Sequence, residues 1–573
     1  MSAIHSDTAQ IDAALRDLQL SKDRWASLPI VERIGYLDTI KDNIVRVARP
    51  WVEAVTAAKG LTMDQPLAGE AWTGGPFAVL WLLKDLRMTL VRLSTGIPVL
   101  DGHQVRTLPS GQVAVDVFPS NFDESILFSG LTAEVWMDPG VAPDSVEDST
   151  AAFYRGGQAK GIVSVVLGAG NISSIPVLDV VHALFTSGSV AVVKMNPLND
   201  YLGPYFEEVF SEMIADGFVR FVYGGPDVGS HLTSSEDVDL IHVTGGASTY
   251  DAIVYGAGAE GKINRQNDAP VTTTRVTAEL GGVTPVIVVP GKWTKRDLRF
   301  QAEHVVSQKM HNAGFNCVAA QTLILSKHWD QADDFLTEIR RVMSELPGRE
   351  PYYPGSAERC ATATASSSGT LEVFGDVNPR YLVTDLDPDA ENEPWFTKEI
   401  FGPVLTVTTL AGDTVESFLE VAAEFSNSTL NGTLGANLII DTKSQKTHSQ
   451  ALERAIADLQ YGTVTVNVWS GAAYFMSRCP WGAFPGHTRQ DIQSGTGTVH
   501  NALMFDRPQK SVVRGGFAES PRALLKGEFH IGPKLVYFVT NKQAHAVGEK
   551  LIDYCDSPSK VKLAKVAASA IRG

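Results

Sequence analysis

The stretch Gly161-Ile-Val-Ser-Val-Val-Leu-Gly-Ala-Gly-Asn171 decides the fold. Its first half is a short run of branched aliphatic residues and its second half a small-residue turn, the pattern of a buried parallel strand handing over to a crossover. The same run returns at Val190–Val193, Val219–Tyr223 and Val238–Val243, with helix-like segments between. Such alternation implies right-handed βαβ crossovers and a parallel sheet whose ligand crevice opens at the carboxyl ends of its strands. Asn171 and Lys194 fall just past two such ends, where a dinucleotide would lie. A second α/β set starts at Thr284–Val289 and continues through Thr322–Leu325, Leu405–Leu410 and Leu434–Ile440.

Outward from this centre the character changes. Residues 12 to about 95 carry apolar positions such as Leu15, Leu18, Trp25 and Leu28 at helical spacing, with few turn signals before Lys59-Gly60, and so predict an outer helical layer. Between 96 and 160, Pro, Gly and Asp punctuate β-like runs such as Val113–Phe118, which predicts a hairpin excursion. Gly462–Asn467 is expected to lead back toward the first domain and that excursion. Residues 518–573 follow as a C-terminal extension.

Composition narrows the function. A chain of 573 residues supports several units sharing a core, and a net charge of −17 supplies no basic field for nucleic acid. Ser557–Lys565 is locally basic and reads as a solvated helix face. The four cysteines, Cys317, Cys360, Cys479 and Cys555, are scattered without a C-x-x-C pair or histidines at ligand spacing, so neither a disulfide framework nor a metal site is expected. The first residues lack a basic region followed by an apolar one, and the most apolar stretch, Gly161 to Phe185, is broken by polar residues. A cytoplasmic protein without a membrane span is the expectation.

Cys317 stands out chemically, in His311-Asn-Ala-Gly-Phe-Asn-Cys-Val-Ala-Ala-Gln321. Gly314 permits a tight turn, and a helix-like segment from Val318 would aim backbone N–H groups at the sulfur and favour the thiolate. Upstream lies Glu279-Leu-Gly-Gly282, downstream Glu399-Ile-Phe-Gly-Pro403. His311 invites a Cys–His dyad, but adjacency in sequence does not make a hydrogen bond.

This ordered set, with Asn171 after one strand and Lys194 in Val-Val-Lys-Met-Asn-Pro197 after the next, resembles the aldehyde dehydrogenase superfamily over residues roughly 12 to 517. The resemblance implies an α/β fold with a Rossmann-type cofactor domain (1–105 and 161–278), an α/β catalytic domain (279–465), a return segment lining the substrate pocket (466–489) and a β oligomerisation arm (106–160 and 490–517). It also implies catalytic Cys317, Glu279 and Asn171: the thiolate attacks an aldehyde, the Asn171 amide and the Cys317 N–H hold the oxyanion, and Glu279 activates water against the thioester. Cofactor contacts are implied at Lys194, Glu399, Phe401, Gly225, Gly229, Thr244, Gly245 and Gly246. The cofactor would be NAD or NADP, the partner a small aldehyde, and the assembly a homodimer or homotetramer.

The chain also departs from the family pattern. Ala169-Gly170-Asn171 replaces Pro-Trp-Asn and resembles fatty acyl reductases of the same superfold, Asn196-Pro197 replaces the small residue and Glu that select NAD, and Gly246 replaces the Ser of a Thr-Gly-Ser turn. Without that Glu, relaxed or NADP-leaning cofactor choice is expected. The expected reaction is oxidation of an aldehyde to its acid, with an apolar or aromatic substrate suggested by Trp469, Tyr474, Phe475 and Trp481. An acyl-CoA or acyl-phosphate reductase is the enzymatic alternative, opposed by Glu279. A non-catalytic binding or structural protein on the same fold is the other, opposed by Cys317, Glu279 and Asn171 together.

Overall fold

The computed structural model describes residues 5–157, 160–366 and 368–573; the reading of the chain's start falls partly on residues 1–4, outside these. Two sheets carry the chain. The smaller runs, in spatial order, Gly495–Thr496, Arg275–Leu280, Leu240–Gly245, Val163–Leu167, Val190–Lys194 and Val219–Val222, all parallel except the first. Val163–Leu167 is buried at every position, as a central strand covered by helices on both faces must be.

The larger sheet has eleven strands among the described residues. From Pro508–Arg514 through Thr463–Val466, Gly435–Ile439, Thr284–Val288, Ala320–Ser326 and Val404–Leu410 to Arg380–Leu386, neighbours are parallel. Thr370–Phe374 closes one edge antiparallel. At the other edge Thr132–Met137, Val113–Phe118 and Val105–Thr107 continue the sheet antiparallel, so the excursion between 96 and 160 is built as hairpins. Within Gly462–Asn467, Thr463–Val466 is a fully buried interior strand, and its pairing with Pro508–Arg514 joins the second α/β set and the hairpins in one sheet.

The N-terminal layer comprises Thr8–Ala26, started by an Asp7/Gln10 capping box, then Ile30–Ala58 and Ala78–Thr95. Helix Ala544–Asp556 of the extension lies on the short helix Gly69–Trp72 of this layer. A Cβ on Gly69 would stand 2.5 Å from the Ala544 carbonyl carbon, and one on Gly548 would stand 2.4 Å from the Trp72 Cβ. The two backbones meet because both positions are glycine. Lys560 pairs with Asp123 at the head of the last helix, Lys560–Ala570.

One buried ion cluster ties three regions together. Arg478 donates to Asp85 of the helical layer at 2.6 Å and to Glu124 of the hairpin region at 2.8 Å. Among the described residues no helix is long and apolar enough to cross a membrane.

Candidate active site

Cys317 sits at the seam between the two sheets, on the turn between helix Lys295–Met310 and strand Ala320–Ser326. Asn312, Ala313 and Gly314 run consecutively through the left-handed region (φ 54°, 56° and 85°), and a Cβ on Gly314 would meet the Gly402 carbonyl oxygen at 2.6 Å. For the two non-glycine residues this conformation costs about 1–2 kcal/mol each, and a hydrogen-bonded cradle holds it. The Asn312 N–H donates to Glu70 Oε1 (3.0 Å), and Glu70 is paired with Arg349 (2.9 Å). The Asn312 amide donates to the carbonyls of Asn171 (3.2 Å) and Phe315 (3.0 Å), while its oxygen accepts from Lys59 (2.7 Å) and Tyr352 (3.0 Å). Burial alone would push the Glu70 carboxyl up, but Arg349 and His311 beside it prevail and hold it at about 2.

The helix expected from Val318 is absent. Cys317-Val318 is a turn, and the chain runs through Ala319 into the strand at Ala320, so no helix starts after the sulfur. The Cys317 thiol is instead pushed well above its ordinary value, first by burial and then by the Glu279 carboxylate, with Glu399 adding to it. Glu279 comes from the end of strand Arg275–Leu280 in the smaller sheet. Burial raises its carboxyl, opposed by the Trp481 indole and the Cys317 thiol next to it. Thiol and carboxyl therefore form a pair across the seam whose resting proton lies on sulfur.

Asn171 follows strand Val163–Leu167 and is buried, its amide donating to the Phe315 carbonyl at 3.0 Å, two residues before the thiol. Its second amide hydrogen has no protein partner among the described residues, and its own carbonyl collects Asn312, Tyr352 (3.0 Å) and Lys59 (3.5 Å). Asn199 holds this loop from behind by donating to the Ala169 carbonyl at 2.9 Å. His311 is engaged elsewhere, against Asn316 and the Trp469 ring.

Beneath Glu279 lies a polar nest that sequence reading missed. Asp179 accepts from the Thr244 hydroxyl at 3.1 Å and stands 3.7 Å from His242 and 3.9 Å from His500. Burial and the Glu279 charge push the Asp179 carboxyl well up, while burial lowers His182, His242 and His500. Tyr474 roofs the nest, its ring 4.7 Å from His500 and its hydroxyl 2.8 Å from Ser174. These residues are far apart in sequence and belong to no short motif. The one available signal was a charged Asp179 inside the apolar run Val177–Val181. No group of three or more His, Cys, Asp or Glu among the described residues is placed to hold a metal ion.

The residues read as cofactor contacts fall in two places. Glu399 and Phe401 lie at the thiol: Glu399 packs against Gly281, where a Cβ would be 2.0 Å from its Oε1, and burial lifts its carboxyl to about 8 against the opposing Lys309 and Arg359. The Phe401 ring meets Tyr353 (4.8 Å) and Phe315 (5.6 Å). The glycines of Glu279-Leu-Gly-Gly282 thus admit protein, Glu399 at Gly281 and the Gly432 backbone at Gly282.

Lys194 lies at the far end, at the close of its strand, lowered by burial and opposed by Asp227. Gly225 and Gly246 are the N-caps of helices Pro226–Thr233 and Ala247–Tyr255, neither with a side-chain cap. Their φ values, −85° and −94°, are ordinary; added Cβ atoms at Gly229, Gly245 and Gly246 would meet nothing nearer than 3.9 Å, and one at Gly225 would meet the Asp227 Oδ1, a side-chain end, at 3.1 Å. Neither strain nor packing asks for glycine at Gly246, whereas a phosphate approaching the helix starts does, so the residues present fit a dinucleotide. Thr244 turns its hydroxyl inward to Asp179, away from that space.

Residues 146–358 match the model of the aldehyde dehydrogenase family. Betaine aldehyde dehydrogenase of Bacillus subtilis (strain 168) is 26% identical over 294 residues, 47% of this chain and 53% of the relative. Coniferyl aldehyde dehydrogenase of Pseudomonas sp. (strain HR199 / DSM 7063) is 24% identical over 299 residues, 48% of this chain and 56% of the relative. The chain thus spans about half the length of these curated relatives. The fold likeness runs further: the NAD-dependent aldehyde dehydrogenase structure from Sinorhizobium meliloti superposes with a TM-score of 0.58 at 17% identity, covering 89% of this chain and 87% of that one.

Proposed function

We propose that this chain, a member of the aldehyde dehydrogenase superfamily by its match over residues 146–358 and by its fold, oxidises an aldehyde to the carboxylic acid through Cys317. The observation that carries this reading is the Cys317–Glu279 pair, set in a strained turn that also receives the Asn171 amide. As the sulfur attacks the carbonyl carbon, its proton passes to Glu279, and the oxyanion of the thiohemiacetal takes hydrogen bonds from the free Asn171 N–H and the Cys317 backbone N–H. Donors preorganised in this way contribute roughly 3–4 kcal/mol each. NAD or NADP, when bound, would supply the hydride acceptor that takes the thiohemiacetal to a thioester; Glu399 and Phe401 would hold its nicotinamide side, and Lys194, Gly225, Gly229, Gly245 and Gly246 its adenosine and phosphates. Once Glu279 has passed the sulfur's proton to solvent, it draws a proton from water, the water oxygen adds to the acyl carbon, and the carbon–sulfur bond breaks as that proton goes from Glu279 to sulfur, releasing the acid.

The buried, raised carboxyl of Glu279 supports hydrolysis over transfer to coenzyme A, since a water-activating base serves only the former. A homo-oligomer and a cytoplasmic setting belong to the same proposal. The exposed edge strand Val105–Thr107 supports the first and four unpaired cysteines the second. The test is reduced-cofactor formation from NAD and NADP with a panel of aldehydes, with and without coenzyme A. Turnover independent of coenzyme A supports the reading, and turnover that requires it overturns hydrolysis.

A further inference from the structure

In the proposed oxidation each aldehyde consumed releases one proton that the hydride acceptor does not take. It passes from Cys317 to Glu279 and has to leave before Glu279 can act on water. Glu279 is buried, so the protein itself supplies the way out. Strands Leu240–Gly245 and Arg275–Leu280 pair in parallel with Thr244 beside Glu279 and His242 beside Thr277. Direct partners on neighbouring strands, and residues two apart on one strand, point to the same face. The four side chains therefore form a polar ladder on one face of the smaller sheet.

The rungs are within reach of one another. The Thr244 hydroxyl lies 3.3 Å from His242 Nε2, and His242 Nδ1 lies 2.9 Å from the Thr277 hydroxyl. Glu279 and Thr244 are separated by the strand spacing of about 4.8 Å, the span of one bridging water. The far end is open: the His242 side chain is 13% exposed, and Thr277 is half-buried with Gly497 against it, a residue with no side chain to cover it. Glu279 Oε2, Asp179 Oδ1, His182 Nδ1 and both His500 nitrogens, all buried, have no hydrogen-bond partner among the described residues. Water satisfies buried polar atoms of this kind, so the space along the ladder suits a proton-conducting chain of waters. Asp179 braces the Thr244 hydroxyl at 3.1 Å and stands beside the ladder, as do His182 and His500.

We propose that this ladder carries the proton of Cys317 from Glu279 to bulk water, with His242 as the relay. The inference rests on the oxidation reading and deepens it. Glu279 yields its proton through the bridging water to the Thr244 oxygen as the Thr244 hydroxyl proton moves to His242 Nε2. His242 then releases a proton from Nδ1 through Thr277 to bulk water, and Glu279 is a carboxylate again. Burial holds the His242 imidazole at about 4, so it gives up a proton readily at neutral pH. The test follows reduced cofactor after rapid mixing of the full chain with aldehyde and NAD or NADP. In His242→Ala the first turnover should keep its rate, because the proton rests on Glu279, while steady turnover slows by about tenfold or more. Added imidazole should restore steady turnover in the variant and leave the wild type unchanged. Thr277→Val, which keeps the shape and removes the hydroxyl, should slow steady turnover in the same sense, and it decides the matter if His242→Ala does not fold. Steady turnover within about twofold of the wild type, a first turnover slowed in equal measure, or a His242→Ala variant that ignores imidazole overturns the route. A wild type that oxidises no aldehyde rejects the oxidation reading, and the route with it.

Discussion

The Glu279 carboxyl and the Cys317 thiol act on each other in opposite senses: the carboxylate holds the thiol up, the thiol holds the carboxyl down, and the shared proton stays on sulfur. On the proposed reading, Cys317 is therefore poised by a neighbouring base and not by a standing thiolate.

Removing that base's charge should release the thiol. In Glu279→Gln the pH midpoint for alkylation of Cys317 by iodoacetamide is expected to fall, because the second cause of its elevation is gone while burial remains. Formation of the thioester should slow, because Gln cannot take the Cys317 proton, and its hydrolysis should slow by about 10²–10⁴-fold, so that reduced cofactor appears as a slowed single-turnover burst. An unchanged or raised alkylation midpoint contradicts the pairing.

Glu70 should make stability depend on acid. Its carboxyl is held at about 2 in the folded protein against an ordinary 4.5, so its contribution is complete above about pH 4.5 and is lost as pH falls toward 2. The shift corresponds to about 3 kcal/mol. Denaturant unfolding of Glu70→Gln should show a flatter pH dependence over that window than the wild type, and parallel curves would contradict the assignment.

Asp179 offers a contrast. Its carboxyl is pushed well up by burial and by Glu279, so Asp179→Asn, which matches the shape and charge of the protonated acid, should leave kcat/KM within a few fold and its pH profile unmoved. Asp179→Ala abandons Thr244, His242 and His500 and should destabilise by about 1–3 kcal/mol. A pH profile displaced by Asp179→Asn would show that the group is ionised in the working enzyme.

Cofactor choice turns on what faces Lys194. Pro197 is exposed and Asn199 is committed to Ala169, so neither discriminates, whereas Asp227 lies within the field of Lys194. The kcat/KM ratio of NADP over NAD should rise in Asp227→Asn, since a carboxylate there repels a 2′-phosphate. An unchanged ratio places discrimination elsewhere.

These contacts mark how far the sequence could be read. The strands from Val163 to Gly245 were visible because a fully buried parallel strand leaves an unbroken aliphatic run. Arg380–Leu386, whose aliphatic residues are interrupted by Arg, Thr and Asp, and the two-residue strand Gly495–Thr496 leave none. Cys317, Glu279, Asn171 and Glu399 could be singled out because each sits in a short motif, and the fold brings them to one seam. The cradle of Lys59, Glu70, Arg349 and Tyr352 and the nest around Asp179 were not, because each member is an isolated polar residue whose partners come from distant segments. The thiolate expectation failed for a local reason: Val318 and Ala319 lead into a β-strand, and a strand has no N-terminal dipole to offer.

The most direct test is mass spectrometry of Glu279→Gln quenched after mixing with aldehyde and NAD or NADP. The account predicts that the peptide containing Cys317 gains the mass of the acyl group, in step with the burst of reduced cofactor. Reduced cofactor formed with no adduct, or with the adduct on Cys360, Cys479 or Cys555, would contradict it.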